Sequence, residues 1–152
     1  MFKKVLLVSC ALAAAVLAAS CAPAPAPAPA PEAQADAADA ALTMSGLADA
    51  AWSLAGLQAL PQSESDYTNK DGETTPYSGV RLADLLAAAG VGDYAAVNLV
   101  ASDEYAIEID RARLDACGDC LVAISEDGSL RSVMPGFEGM FQVKGLVALE
   151  VK

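Results

Sequence analysis

Histidine is absent from the 152 residues. That removes the usual general base at neutral pH, so a Ser–His–Asp arrangement is excluded, and with it the commonest nitrogen ligand for zinc. Cations are scarce, with nine Lys and Arg against twenty Asp and Glu and a formal net charge of −11. Such a surface repels nucleic-acid phosphates and anionic lipid headgroups, which excludes a nucleic-acid-binding role. Aromatic residues are only 5% of the chain. Trp52, Tyr67, Tyr77 and Phe137 could line a groove, although packing into the core is the default for isolated aromatics. Cysteine occurs four times, at Cys10, Cys21, Cys117 and Cys120.

What is present is strongly segregated along the chain. Residues 1–20 start with Lys3 and Lys4, run through an apolar stretch from Val5 to Ala19, and end on small residues. The stretch is shorter than the roughly 20 apolar residues of a membrane-spanning helix, and its layout is that of a secretion signal. Leu17-Ala18-Ala19-Ser20-Cys21 resembles a bacterial lipobox, although Ala18 stands where Leu is usual. The resemblance implies cleavage before Cys21, a lipid on its thiol, and a protein anchored outside the cytoplasm in a cell membrane. Two or more acyl chains make such an anchor stable. Leu7-Val8-Ser9-Cys10 has a similar pattern but too little apolar sequence before it. Removing Lys3 and Lys4 with the leader would take the charge from −11 to −13, because all twenty acids lie beyond it.

Residues 21–41 hold the alternating Ala-Pro run from Ala22 to Pro31 and an Ala-rich continuation. Proline supplies no backbone donor, so this run reads as an extended polyproline spacer of about 3.1 Å per residue. Residues 42–152 remain for one globular domain.

Within that domain the patterns predict a strand-rich α+β fold. Leu42–Gly46 reads as a strand and Trp52 lies in a second. Ser53 is placed to cap a brief helix ending before Pro61. Ser63, Ser65 and Tyr67 alternate, Asn69-Lys70-Asp71-Gly72 supplies a turn, and Glu73–Tyr77 returns. Leu82, Leu85, Leu86 and Ala89 have helical spacing closed by Gly90, the one clear helix. Val97–Val100, Tyr105–Ile109, Leu121–Ile124 and Leu130–Met134 read as strands. Phe141–Val151 reads as a long final strand, with Gly145 marking a bulge or a close contact.

Cys117-Gly118-Asp119-Cys120 is the sharpest local motif, because two intervening residues let the sulfurs meet. Outside the cytoplasm a disulfide is expected, either structural or redox-active. Two thiolates without histidine make a poor zinc site, which takes about four ligands. The acids Asp66, Asp71, Glu73, Asp103, Glu104 and Asp110 match no calcium loop and read as solvated loop residues.

The domain resembles the molybdopterin-binding domain of sulfite-oxidase-type oxidoreductases. The resemblance is carried by Ser45-Gly46-Leu47, by Tyr77-Ser78-Gly79-Val80-Arg81-Leu82-Ala83-Asp84-Leu85-Leu86, and by Ala101-Ser102-Asp103-Glu104-Tyr105. Leu130-Arg131-Ser132-Val133-Met134-Pro135-Gly136, Gly139, Val143-Lys144 and Glu150 complete it. It implies a shortened version of that fold. Catalytic members hold molybdenum on a cysteine thiolate some way before the aromatic–Gly–Val stretch. Here Gln58–Asp71 contains no cysteine, and Ser63 and Ser65 are poor substitutes for a soft ligand. The family's aromatic and arginine before Val-Lys are replaced by Met140 and Phe141. Arg131 and Lys144 are left as candidate partners for an anionic cofactor, with surface ion pairs as their competing role.

Three functions follow. The first is a tethered, non-catalytic binding or accessory module, with no cofactor expected and a redox partner protein or small ligand as its target. The second is a molybdopterin-dependent oxidoreductase with an unusual metal ligand. The third is a thiol–disulfide protein using Cys117 and Cys120. The anchor is tested directly: Cys21→Ser is expected to move the protein from the membrane fraction to the soluble fraction and to abolish fatty-acid labelling. Labelling retained in that variant would transfer the anchor to another residue.

Overall fold

A computed structural model describes residues 39–152. The leader, Cys10, Cys21 and all but the last three residues of the spacer lie outside the described residues. Among the described residues nine strands form two sheets. One sheet contains β1 (Leu42–Gly46), β2 (Ala50–Trp52), β5 (Ala96–Ala101), β6 (Ala106–Asp110) and β9 (Leu146–Val151) in the order β2-β1-β9-β5-β6. The other contains β3 (Gln62–Thr68), β4 (Thr74–Arg81), β7 (Leu121–Ile124) and β8 (Leu130–Val133) in the order β3-β4-β7-β8. All pairings are antiparallel except β1 with β9. Strand-rich α+β is therefore the observed class.

Register explains how the core forms. In the larger sheet Leu42 lies opposite Trp52, Met44 opposite Leu149, Leu149 opposite Leu99, and Val97 opposite both Val151 and Ile109. Side chains alternate faces along a strand, so these residues share one face. They meet Val80, Val122 and Leu130 from the smaller sheet in one buried cluster. Helices add to that cluster. In α1 (Leu54–Ala59) the Ser53 hydroxyl accepts a hydrogen bond from the Gly56 amide at 3.1 Å, and Leu57 is buried. In α2 (Leu82–Ala88) Leu82, Leu85 and Leu86 face inward, and Gly90 follows at φ +76°. No helix among the described residues is long and apolar enough to cross a membrane.

Two expectations fail. A third helix, α3 (Arg111–Asp115), follows β6, started by the Asp110 carboxylate, which accepts from the Arg113 amide at 2.9 Å. Five residues with a single buried Leu114 carry too little periodicity to reveal a helix. The long final strand is also broken. Gly139–Phe141 is a 3-10 turn, and Gly145 sits at φ +64°. Before that glycine, Lys144 bridges Arg131 beside β8, and the Ser132 amide donates to the Val143 carbonyl at 2.9 Å. After it, β9 joins the other sheet. Gly145 is thus the corner at which the chain changes sheets, where a left-handed backbone favours glycine.

Gly79 in β4 has a steric cause instead. A Cβ there would stand 2.0 Å from the Val122 carbonyl oxygen and 2.7 Å from the Ala123 Cα, both backbone atoms of the neighbouring strand. Gly79→Ala is expected to cost about 2–3 kcal/mol or more through overpacking, seen as a lower urea midpoint. An unchanged midpoint would mean that β4 and β7 are not in this contact.

Candidate functional site: a cationic cleft on the smaller sheet

The outer face of the smaller sheet carries its own apolar layer. Leu121, Ala123 and Val133 are buried there under Tyr67 and Tyr77. Pairing of Ser65 with Tyr77 and of Ala123 with Arg131 brings these residues into neighbouring positions. The Arg131 guanidinium lies 4.5 Å from the Tyr77 ring centre and 5.9 Å from that of Tyr67. Its Nη1 donates to the Tyr77 hydroxyl at 2.6 Å, whereas its Nε is buried without a partner.

Lys144 lies directly across the antiparallel bridge from Arg131. Two buried polar side chains hold that geometry. The Ser132 hydroxyl donates to the Phe141 carbonyl at 2.6 Å and accepts from the Val143 amide at 2.7 Å. The Gln142 side chain donates to the Met134 carbonyl at 2.6 Å and accepts from the Met134 amide at 3.0 Å. Lys70 arrives from the β3–β4 turn. There the Asn69 side-chain oxygen accepts from the Asp71 and Glu73 amides at 2.9 and 3.0 Å, a longer turn than a two-residue Asp-Gly hairpin. Lys70, Arg131 and Lys144 line one cleft of about 490 Å³ together with Tyr67, Tyr77 and Gln142. Asp71 is its one carboxylate.

Of the other cations among the described residues, Arg81 makes no salt bridge and three are engaged elsewhere. Arg111 pairs with Asp93 and Asp115, Arg113 with Glu138, and Lys152 with Glu108. Surface ion pairs were the competing expectation for Arg131 and Lys144, and the structure corrects it. Neither makes a salt bridge among the described residues, and both line the cleft. Like charges opposite each other in a sheet are destabilising, by roughly 0.2–1 kcal/mol. A bound anion between them removes that repulsion and supplies acceptors for idle donors.

Of the aromatics, Tyr67 and Tyr77 do line a groove. Trp52 is core, and Phe137 packs edge-on to Phe141 under the Arg113 guanidinium. Sequence reasoning missed Lys70 and Gln142. Lys70 stands in a turn, where a solvated cation is unremarkable, and only the hairpin register brings it to the cleft.

Cys117 and Cys120 form a disulfide. Cys120 is 2% exposed and belongs to the main core. Cys117 follows the C-terminal end of α3, its amide donating to the Leu114 carbonyl at 3.0 Å. That is the negative end of a helix, opposite to the placement that lowers a thiol pKa. The buried Cys120 sulfur is poorly reached by an attacking thiolate, whereas Cys117 is half-buried.

The donor set does not fit a molybdenum centre of the kind the family resemblance implies. The cysteines among the described residues are spent on the disulfide, and no group of three His, Cys, Asp or Glu among those residues could hold a metal ion. Ser63 and Ser65 offer only neutral hydroxyls, hard donors where a soft thiolate is expected. Arg131 and Lys144, by contrast, suit an anion.

No family model matches the chain, and no curated protein matches it. Among solved structures it is similar to the sulfane dehydrogenase SoxCD from Paracoccus pantotrophus, with a TM-score of 0.61 at 18% identity. The match covers 72% of this chain and 37% of that one, so this chain spans little more than a third of its neighbour. At this identity the likeness is one of fold, and the expected sulfite-oxidase-like fold is the one observed.

The disulfide's role is separable from the cleft. Cys117→Ala with Cys120→Ala is expected to cost about 2 kcal/mol, the loop-closure value for so short a ring, and to leave insulin-reduction assays at background as in the wild type. Wild-type turnover in that assay would make the pair redox-active.

Proposed function

We propose that this chain is a lipid-anchored, extracytoplasmic binding or accessory module on a sulfite-oxidase-like fold. Its cleft takes a small anion, and it performs no molybdenum chemistry of its own. One observation carries the reading: in a chain of net charge −11, Arg131 and Lys144 face each other across a bridge, and neither makes a salt bridge among the described residues. Holding two cations together in this way is explained by a ligand that neutralises both.

The fold resemblance suggests molybdopterin as one such ligand, and its phosphate would suit this pair. The metal-bearing end would find no thiolate. The expected role is therefore retention of an anion, or presentation of it to a redox partner at the membrane, rather than oxidation or reduction at a metal held here.

Calorimetric titration of the full chain with pyrophosphate tests the cleft. Binding is expected to weaken with rising salt. Arg131→Gln is expected to reduce affinity about tenfold or more, from loss of charge-assisted hydrogen bonds worth roughly 1.5–3 kcal/mol. Equal affinity in the wild type and in an Arg131→Gln, Lys144→Gln double variant would remove the site. Near-stoichiometric molybdenum in protein purified from a cofactor-producing host would overturn the non-catalytic reading.

A further inference from the structure

The cationic cleft is larger than its charges alone require, and it contains a group that an anion would avoid. Its volume of about 490 Å³ lies in the range that holds a small organic molecule, well beyond a single phosphate. Asp71 stands in its lining with Lys70, Arg131 and Lys144, and makes no salt bridge to any of them. An ionised carboxylate only accepts hydrogen bonds. A ligand made of oxyanions alone would meet repulsion there and leave the carboxylate unused. A ligand hydroxyl, by contrast, can donate to Asp71 while an anionic group sits between Arg131 and Lys144.

The same face of the sheet has other polar groups without partners. Ser65 pairs with Tyr77 and lies two residues before Tyr67, so strand alternation puts it on the face of both tyrosines and Arg131. It is only 6% exposed, and its hydroxyl has no hydrogen bond. The Arg131 Nε is likewise buried without an acceptor. Buried polar groups left unpaired are costly, and hydroxyls relieve them because each both donates and accepts. Tyr67 and Thr75 add hydroxyls to the lining, and the tyrosine rings offer apolar surface to a carbon skeleton. The neighbouring cleft, of about 340 Å³, has only the carboxylates of Glu64, Asp66 and Asp119 as charged groups, so it does not compete for an anion.

We infer that the ligand is an anionic saccharide, a sugar carrying one phosphate or carboxylate, with its charge at Arg131 and Lys144 and a hydroxyl on Asp71. This rests on the anion reading of the cleft and names the class of anion.

The test is calorimetric titration of the full chain with glucose 1-phosphate and glucuronate, and with butyl phosphate and butyrate as their hydroxyl-free counterparts. At least one sugar is expected to bind about fivefold or more tightly than its counterpart. Asp71→Asn is the decisive variant, because Asp71 lies in an exposed turn and the effect changes sign with the ligand. The variant is expected to weaken binding of that sugar about threefold or more, by loss of a charged acceptor, and to strengthen pyrophosphate binding about twofold, by loss of repulsion. A gain for glucose 1-phosphate alone identifies a phosphorylated ligand, and a gain for glucuronate alone a carboxylated one. Equal affinity for both sugars and their counterparts overturns the inference. So does an Asp71→Asn change of the same sign for sugar and pyrophosphate. Failure of pyrophosphate to bind the wild type would remove the anion reading and the inference with it, whereas pyrophosphate binding without a preference for sugar removes the inference alone.

Discussion

Much of this architecture turns on how the segment from Met134 to Gly145 is held. It leaves the smaller sheet, loops out, pairs again beside β8 and then enters the larger sheet. Such a path would strand backbone amides and carbonyls in a buried place. Ser132 and Gln142 prevent that, one hydroxyl and one amide together serving Phe141, Val143 and both polar atoms of the Met134 backbone. With those groups satisfied, Val143 can be buried and Gly145 can turn the chain into β9. The two sheets then share one core, and Lys144 is set opposite Arg131 as a consequence.

Charge is distributed on the smaller sheet in a way that composition conceals. Adjacent residues of β3 line clefts of opposite sign: Glu64 and Asp66 line one with Asp119, and Tyr67 lines the cationic one. Pro76 and Tyr77 repeat the division on β4. Alternation of side chains along a strand accounts for it, since neighbours point to opposite faces. The excess of acid elsewhere strengthens the contrast, because three other cations are already neutralised by nearby carboxylates.

The elements most legible beforehand were those with a strong local signal. Ser53 before a short apolar run, Gly90 after Leu86 and Ala89, and the alternation of Ile107 and Ile109 each reflect a rule that acts over a few residues. The elements that were not legible depend on distant partners. Phe141–Val151 has alternating apolar residues and reads as continuous, yet its two halves belong to different sheets. The site followed the same division. Arg131 and Lys144 were singled out through family resemblance, but their lack of a salt bridge among the described residues could not be known without coordinates. Lys70 had no distinguishing mark at all.

Composition and local pattern were enough to establish an acidic, histidine-free chain with a leader-like start and a strand-rich domain, because charge count and side-chain periodicity are properties of the chain itself. Pairing of distant strands brought together Lys70, Arg131 and Lys144 and left Ser65 without a partner. Sheet register couples residues many positions apart, and a shift of one would have sent each side chain to the opposite face. The two clefts and their signs are therefore consequences of the folded arrangement.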